Sequence, residues 1–394
     1  MSKGGQFVRV IVAPNSFKGS LTSREAAEAV ALGVRAAAPQ AEILKYPLAD
    51  GGEGTMELLV EATGGSRRQA WVTGPLGEPV LATYGILGDR QTAVIEMAQA
   101  AGLLLVPPGL RDPSRTTTRG VGELVRRCLD EGCRRFIIGL GGSASNDGGA
   151  GLAAALGVRF LDDQNRNLGP GGGELSRLSR IDASEIDPRV GESSFVGACD
   201  VDNPLSGPRG ASLVFGPQKG ASPEQAAWLD RNLQRLGAIM ERDLGKRVAS
   251  LSGAGAAGGL GAGLLAFCGA EMRSGARLVI DATGLQQALP GSDLVFTGEG
   301  KVDDQTASGK APLAVAAVAA QFGIPVVVLA GAVGAGTQAL LQIGITALFS
   351  LCDGPMTVAD AMADGRRLLT QAAEQAARLF LAGKNQGAPE GRLR

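Results

Sequence analysis

Apolar segments that alternate with helix-like segments occupy both ends of the 394-residue chain, and this pattern constrains the fold most. Near the N-terminus it predicts a strand at 7–13, a helix at 22–38, a strand at 42–48 and a helix at 55–62. From residue 293 it predicts strands in DLVFT, PVVVLA and TALFSL and helices at 311–322, 335–343 and 357–381. Continuous apolar strands of this kind are typical of parallel sheets that are buried on both faces.

The two ends of the chain are expected to form one domain, because two strand–helix units alone cannot cover both faces of a parallel sheet. The predicted fold class is α/β. A discontinuous Rossmann- or flavodoxin-like doubly wound domain, residues 1–65 and 287–394, is interrupted by an inserted mixed α/β domain, residues 66–286. Within the insert, WVTGPLGEPVLATYGIL and TAVIEM predict antiparallel strands joined by turns.

The composition excludes several kinds of site and partner. The chain has no histidine, which removes Ser-His and Cys-His nucleophile pairs, imidazole bases and histidine-containing zinc sites. A net charge of −1 gives no support for binding to nucleic acid or to a membrane surface. The five cysteines show no CxxC spacing and are expected to be free thiols. With no signal sequence or membrane span in the pattern, we expect a cytoplasmic protein.

Polar and charged residues follow the predicted strands of the discontinuous domain. Ligands of open α/β sheets bind beyond the carboxyl ends of the strands. Such residues are also common in ordinary turns, so a single loop would carry little weight. Three loops share the property here, and their candidate residues are Ser16, Lys18 and Gly19 in the first, Asp50 and Glu53 in the second, and Gly298, Glu299, Asp303 and Lys310 in the third.

The insert supplies a second set of candidates. FIIGLGGSASNDGGAGLAAALG predicts a strand, a glycine–hydroxyl loop and a helix, an arrangement that can cradle an anion, or that can simply be a tight turn. GACDVDNPLSG follows another predicted strand, and VFGPQKGAS adds a lysine that could equally be a solvated surface residue. The candidates from these three stretches are Gly141, Gly142, Ser143, Ser145, Asn146, Asp147, Asp200, Asn203 and Lys219.

Oxygen ligands, lysines and glycine-rich loops without histidine suit phosphoryl transfer, which depends on positioning and charge neutralisation. Carboxylates can hold Mg²⁺, and one aspartate can orient the attacking hydroxyl. Asp200 is the first choice either for orienting the hydroxyl or for binding Mg²⁺, and Lys18 and Lys310 are expected to neutralise phosphate or carboxylate. No Walker A sequence is present, since TASGKAP lacks the earlier glycine and the following Ser or Thr.

A second function remains open at this point. GAGAAG, with Gly253, Gly255 and Gly258, satisfies the GxGxxG pattern, and Asp281 in RLVID lies at about the expected ~20-residue spacing. An NAD-dependent oxidoreductase is therefore the alternative. The strand required before the motif would have to be KRVASLS, which is short and polar.

Long stretches of the chain resemble the bacterial glycerate kinase family of the glucarate- and glyoxylate-pathway type. They include VIVAPNSFKGSLTSREAAEAV, PLADGGEGTMELL, IEMAQAAGL, IIGLGGSASNDGGAGLAAALG and DLVFTGEGKVDDQTASGKAP, and they are spread in order between residues 7 and 350. Asn15 departs from the aspartate expected in many relatives. Asparagine keeps hydrogen bonding but loses a charge, so Asn15 is not assigned as a catalytic acid or base.

The resemblance implies ATP-dependent phosphorylation of D-glycerate with Mg²⁺, most simply at the 2-hydroxyl, with the 3-hydroxyl left open. We expect one cleft between the two domains to hold the site, a small-molecule partner, no nucleic acid and no membrane, and a homodimer as one open assembly. Asp200, Lys18 and Lys310 are the expected catalytic residues, and Asp147, Glu299 and Asp303 the expected metal ligands. The remaining candidates are expected to bind substrate or nucleotide, and the division between ATP and glycerate stays open.

Overall fold

The computed structural model describes residues 8–302 and 311–386. Its strands are β1 (Arg9–Val12), β2 (Glu42–Lys45), β3 (Ser66–Thr73), β4 (Pro79–Ile86), β5 (Thr92–Glu96), β6 (Arg135–Gly139), β7 (Arg159–Leu161), β8 (Arg180–Asp182), β9 (Ser194–Ala198), β10 (Glu271–Arg273), β11 (Leu294–Val302), β12 (Val326–Val333) and β13 (Ala347–Ser350).

The helices are α1 (Ser23–Ala37), α2 (Thr55–Ala62), α3 (Ala98–Ala101), α4 (Arg119–Asp130), α5 (Ala150–Ala155), α6 (Pro188–Gly191), α7 (Ala211–Phe215), α8 (Pro223–Leu244), α9 (Ala256–Phe267), α10 (Gly275–Thr283), α11 (Leu285–Ala288), α12 (Ala311–Ala320), α13 (Val358–Ala363) and α14 (Gly365–Gln386). The predicted capping box is present at the start of α1, where Thr22 and Glu25 bond reciprocally.

The chain divides into two compact units. The first unit contains the residues up to Ala49 and those from Val279 onward, and the second contains Asp50–Leu278. The sequence predicts an insert at residues 66–286, so the second unit begins earlier and ends earlier than predicted. The earlier boundary at 49/50 reflects the packing of α2, which lies against β3, β4 and β5 of the second unit.

The first unit contains a five-stranded sheet in the order β2-β1-β11-β12-β13, and every neighbouring pair is parallel. Numbered within the unit, this is the 2-1-3-4-5 order of flavodoxin-like folds, so the predicted α/β class is confirmed. Val10 and Val12 of β1 join the apolar cluster formed with α1 and α14. Ile11 between them is also buried, on the opposite face, as alternation along a strand requires.

The second unit contains a six-stranded mixed sheet in the order β10-β9-β6-β5-β4-β3. The predicted antiparallel strands are β3, β4 and β5, whereas β5, β6, β9 and β10 pair in parallel. The carboxyl ends of β5, β6 and β9 therefore lie side by side, with Glu96 opposite Gly139 and Gly139 opposite Ala198. The glycine loop after β6 and Asp200 after β9, both from the second candidate set, lie at this edge.

Two predicted helices of the first unit have a different form. Residues 335–343 contain only a 3₁₀ segment, Thr337–Gln342, instead of an α-helix. The predicted helix at 357–381 is two helices, α13 and α14, with the break before Gly365. A side chain at Gly365 would collide with the Ser20 hydroxyl, so a glycine and a change of direction occur together at this close approach.

All five cysteines are free thiols, as expected. Across residues 8–302 and 311–386, no helix combines the length and the apolar character needed to cross a bilayer. The cytoplasmic location stays a prediction.

Candidate active site

In the first unit, the loop after β1 lies against the middle of β11, at Gly298 and Gly300. The Asn15 N–H donates to the Gly298 carbonyl oxygen at 2.8 Å, and the Ser16 N–H donates to Oδ1 of Asn15 at 2.8 Å. A Cβ placed on Gly300 would lie 3.4 Å from the Lys18 backbone nitrogen. Asn15 therefore has a structural role in shaping the loop, which suits its lack of charge.

This contact brings together most of the candidates of the first unit. Lys18 is exposed and Ser16 is half-buried, whereas Glu299 is buried within β11. The sequence predicted a loop at Gly298 and Glu299, but β11 runs on to Val302 and pairs with β12 there. Gly19 lies in the tight turn that Phe17 and Leu21 close with two backbone bonds of 2.8 and 2.9 Å. Asp303 and Lys310 lie outside the described residues.

In the second unit, the segment from Asp50 to Gly52 crosses the carboxyl ends of β6 and β9. Gly51 has a φ of +87°, and a Cβ at this position would collide with the Ala198 carbonyl oxygen. Its own carbonyl oxygen accepts from the Gly141 N–H at 3.1 Å and would lie 2.6 Å from a Cβ on Gly139. Glycine is therefore required where this segment passes over the strand ends.

Asp200 lies directly after β9 at the same edge. Its Oδ1 accepts from the Gly275 N–H at 3.0 Å, and its side chain also bonds with Ser274. Its Oδ2 is buried, and none of the residues in 8–302 and 311–386 donates a hydrogen bond to it. Burial raises the pKa of Asp200 to about 7, the Ser274 bond opposes that rise, and the nearby negative charge of Asp50 adds to it.

Asp50 and Glu53 differ in their surroundings. Asp50 is half-buried and close enough to Asp200 for the two charges to repel, whereas Glu53 is exposed. Two carboxylates at one edge, one with a buried oxygen that lacks a donor, have the chemistry of a divalent-cation site. In the described part of the chain, no group of three Asp, Glu or Cys side chains is arranged to hold a metal ion. An ion here would take its remaining ligands from phosphate and water.

The glycine loop after β6 is held at several points. The Gly141 N–H donates to Gly51 as above, and the Ala144 N–H donates to the Ala101 carbonyl oxygen at 2.9 Å. The outer residue Gly142 is exposed, while Ser143 and Ser145 are buried. The loop therefore presents backbone at its outer side and keeps its hydroxyls inside.

Asp147 occupies the place where the sequence predicted an anion at a helix start. Its carboxylate accepts from the N–H groups of Thr118 at 2.8 Å, Gly149 at 3.1 Å and Gly151 at 3.2 Å, and from the Thr118 hydroxyl. Burial raises the pKa of this carboxyl, and these bonds oppose the rise. The Asp147 carboxylate thus already accepts hydrogen bonds from the backbone N–H groups at the start of α5. The metal-ligand role predicted for Asp147 has no support in this geometry.

Lys219 is neither a surface residue nor exposed to a ligand, since only 2% of it is accessible. Its Nζ donates to the Ser143 hydroxyl and to the Ser145 carbonyl oxygen, both at 2.7 Å. Burial lowers the pKa of Lys219 to about 7, and the charge of Asp147 opposes that shift. The alternative interpretation as a solvated lysine is therefore wrong.

The two candidate asparagines have different environments. Asn146 is fully buried and donates to the Ser212 hydroxyl at 2.9 Å, while Asn203 donates to the Arg209 carbonyl oxygen at 2.7 Å. The Asn146 side-chain oxygen and the Ser145 hydroxyl are buried and lack a partner within the described residues.

Sequence reasoning missed Glu96. It ends β5, only 4% of it is accessible, and its Oε1 accepts from the Met56 N–H at 2.8 Å at the start of α2. Burial raises the pKa of Glu96 to about 7, and the charges of Glu53 and Glu57 add to the rise. The signal was present in TAVIEM, where a carboxylate directly follows a run of apolar strand residues.

The GAGAAG segment does not form a dinucleotide fingerprint. Residues 246–252 contain no strand, and RLVID lies in α10, so neither flanking strand of the motif exists. A Cβ on Gly255 would collide with the Pro204 carbonyl oxygen, and one on Gly258 with the Ser145 carbonyl oxygen. These glycines permit the kinked start of α9 to pack against neighbouring loops.

The sheet edge of the second unit thus brings two carboxylates and an exposed glycine loop together in an α/β protein, an arrangement that suits phosphoryl transfer. The chain belongs to the glycerate kinase family, whose model matches residues 10–381. The predicted class of small-molecule kinase is confirmed, and the oxidoreductase alternative has no support.

Several relatives are similar over most of the chain. A glycerate kinase from Halalkalibacterium halodurans is 50% identical over 368 residues, covering 93% of this chain and 97% of the relative. A glycerate 2-kinase from Escherichia coli K12 is 48% identical over 344 residues, covering 87% and 90%. The crystal structure of a protein assigned as a glycerate kinase 2 from Salmonella typhimurium LT2 gives a TM-score of 0.80 at 46% identity, covering 96% of this chain and 100% of that one.

Proposed function

We propose that this protein transfers the γ-phosphoryl group of ATP to D-glycerate, at the 2-hydroxyl, to give 2-phosphoglycerate. The observation that carries the proposal is Asp200, a carboxylate at a strand end whose Oδ1 is fixed by Gly275 and whose buried Oδ2 lacks a donor among the described residues. The similarity to the Escherichia coli glycerate 2-kinase supports the choice of hydroxyl.

Asp200 is proposed to accept the proton of the attacking hydroxyl at Oδ2. A carboxyl group with a pKa near 7 is suited to this role, because it is substantially ionised at neutral pH and still basic enough to take a proton. The bonds from Gly275 and Ser274 hold the carboxylate in one orientation. Positioning of this kind is the main contribution a protein makes to phosphoryl transfer.

The remaining groups of the second unit are proposed to bind the nucleotide. Asp50, which is half-buried at this edge, would hold Mg²⁺, and the ion would neutralise negative charge on the phosphates. The backbone of the glycine loop at residues 141–145 is proposed to donate hydrogen bonds to phosphate oxygens. Asn203 and Glu53 lie on neighbouring loops and are proposed as secondary contacts to substrate.

The candidate set of the first unit is proposed to bind an anionic group of a substrate. Lys18 is an exposed cation beside the half-buried Ser16 hydroxyl and the glycine-flanked Glu299. A lysine at such a position can form an ion pair with either a phosphate or a carboxylate. Glu299 is proposed to bind a substrate hydroxyl or a metal-bound water. We also propose that the protein acts in the cytosol, on a small-molecule substrate.

The experiment is a phosphoryl-transfer assay with a product assignment. ATP consumption is measured with D-glycerate, with L-glycerate and without acceptor, with and without Mg²⁺, and the product is examined by phosphorus NMR. The proposal predicts D-glycerate-dependent, Mg²⁺-dependent consumption and a phosphate ester on a secondary carbon. An ester on the primary carbon would reassign the hydroxyl, and no consumption with either glycerate would overturn the function.

A further inference from the structure

Lys219 is buried within the second unit behind the glycine loop, and its side chain cannot reach a ligand that approaches the exposed backbone at Gly142. We propose that Lys219 is a positioning residue, which holds the loop of residues 141–145 from its inner side in the conformation that binds nucleotide phosphates. This inference rests on the proposed function.

The contacts of Lys219 lie at the centre of the loop. Its Nζ is 2.7 Å from the Ser143 hydroxyl and 2.7 Å from the Ser145 carbonyl oxygen, so it fixes one side chain and one peptide group on either side of Ala144. Ala144 itself is held by its N–H to Ala101 and by its carbonyl oxygen, which accepts from the Thr116 hydroxyl at 2.9 Å. Lys219 thus adds hydrogen bonds to the two residues that flank Ala144.

A role in stability alone would not require a lysine at this place. Removing an ammonium group from water is costly, and a buried charged group can be exchanged for apolar residues with little loss of stability when its partners are exchanged with it. Methionine has a similar length and would fill the same space without any hydrogen bond. What methionine cannot do is hold the Ser143 hydroxyl and the Ser145 carbonyl oxygen, and this difference makes the role testable.

The test uses Lys219→Met in the full-length protein, with ADP binding measured by calorimetry and ATP turnover measured with D-glycerate. We expect the Kd for ADP and the KM for ATP to rise by roughly 10-fold, because two buried acceptors lose their donor. The KM for D-glycerate and kcat at saturating ATP should change by less than about 3-fold. The control is Lys246→Met, which changes an exposed lysine of the same unit and should leave all four constants unaltered.

A double-mutant cycle separates positioning from a general loss of folding. Ser143→Ala removes one acceptor, so its effect on the Kd for ADP should be clearly smaller in the Lys219→Met background than in the wild type. Ser143→Thr keeps the hydroxyl and should therefore keep most of the wild-type affinity for ADP. Partial unfolding would instead lower the active fraction without moving the Kd of the folded molecules.

Each outcome decides the inference. Unchanged ADP affinity in Lys219→Met, or additive effects in the cycle, would overturn it. If Lys219→Met does not fold, Ser143→Ala alone must weaken ADP binding and Ser143→Thr must not, and the opposite result would overturn it. A failure of the proposed function is distinguishable, because the wild type would then bind ADP without D-glycerate-dependent turnover.

Discussion

The Gly275 N–H donates a hydrogen bond of 3.0 Å to Oδ1 of Asp200. This single bond joins the end of β9 to the first residue of α10, and it leaves the second carboxylate oxygen buried without a donor from the described residues. A carboxylate that has one oxygen held by a hydrogen bond and the other without a donor is suited to receiving a proton at that second oxygen.

The pH profile of turnover should report Asp200. Because its folded-state pKa is raised to about 7, the ionised form that accepts a proton is gained as the pH rises through that value, so log(kcat/KM) should fall below about pH 7. Ser274→Ala removes a bond that lowers this pKa and should move the acid limb to higher pH. Ser274→Thr keeps the hydroxyl and serves as the control. An acid limb at the same pH in Ser274→Ala and wild type would contradict the assignment.

Glu96→Gln should make the stability less dependent on pH. The folded-state pKa of Glu96 is about 7, above its ordinary value, so the stability it contributes is full below about pH 4.5 and is lost as the pH rises through 7. Glutamine keeps an acceptor for the Met56 N–H but cannot ionise. The free energy of unfolding of the variant, relative to the wild type, should therefore increase between pH 5 and pH 8, by up to ~3 kcal/mol. Urea unfolding at both pH values measures this difference, and a constant difference would refute the burial of an ionisable carboxyl.

Gly51→Ala should damage both folding and turnover, and Gly77→Ala is its matched control. Both glycines have positive φ, +87° and +96°, so both substitutions carry a backbone cost of roughly 1–2 kcal/mol. Only at Gly51 would the added Cβ also collide with Ala198, whereas at Gly77 nothing lies within 4 Å. We expect Gly77→Ala to lower the melting temperature slightly and keep turnover, and Gly51→Ala to lower turnover by at least about 10-fold. Equal behaviour of the two variants would show that the close approach at Gly51 has no catalytic consequence.

Asp147→Asn tests whether this residue binds metal. The carboxylate accepts from three backbone N–H groups and from the hydroxyls of Thr117 and Thr118, so an amide there loses acceptors and should destabilise the fold by about 1–3 kcal/mol. The Mg²⁺ concentration that gives half-maximal turnover should be unchanged in the folded fraction. A Mg²⁺ requirement raised several-fold would restore the metal-ligand role that the sequence suggested.

The sequence predicts elements whose determinants are local. The strand–helix alternation gave β1, α1 and α2 at nearly their observed bounds, and the polar residues after β1 and β9 do follow the carboxyl ends of those strands. The predicted loop at Gly298 and Glu299 is wrong, because β11 continues through both residues in register with β12. The place of Asp200 just after β9 could be predicted because it directly follows a run of buried strand residues; its catalytic role stays a prediction. These features depend on periodicity and on neighbours in the chain.

The features that the sequence could not supply depend on distant partners. Lys219 lies in a glycine- and proline-containing turn that resembles a solvated loop, and its burial depends on Ser143, 76 residues earlier. The role of Glu96 depends on Met56, 40 residues earlier. RLVID has the β-branched composition of a strand, yet it is helical because Ser274 begins a helix there by accepting the Arg277 N–H.

If Asp200 receives the proton of the attacking hydroxyl, kcat for Asp200→Asn should differ sharply from kcat for Asp202→Asn. Asp202 lies two residues away, is exposed and pairs with Arg209 on the surface. With ATP and D-glycerate saturating, Asp200→Asn should lose ~10²-fold or more in kcat while remaining folded, and Asp202→Asn should stay within about 2-fold of the wild type. A folded Asp200→Asn variant with kcat close to that of the wild type would show that Asp200 does not receive this proton.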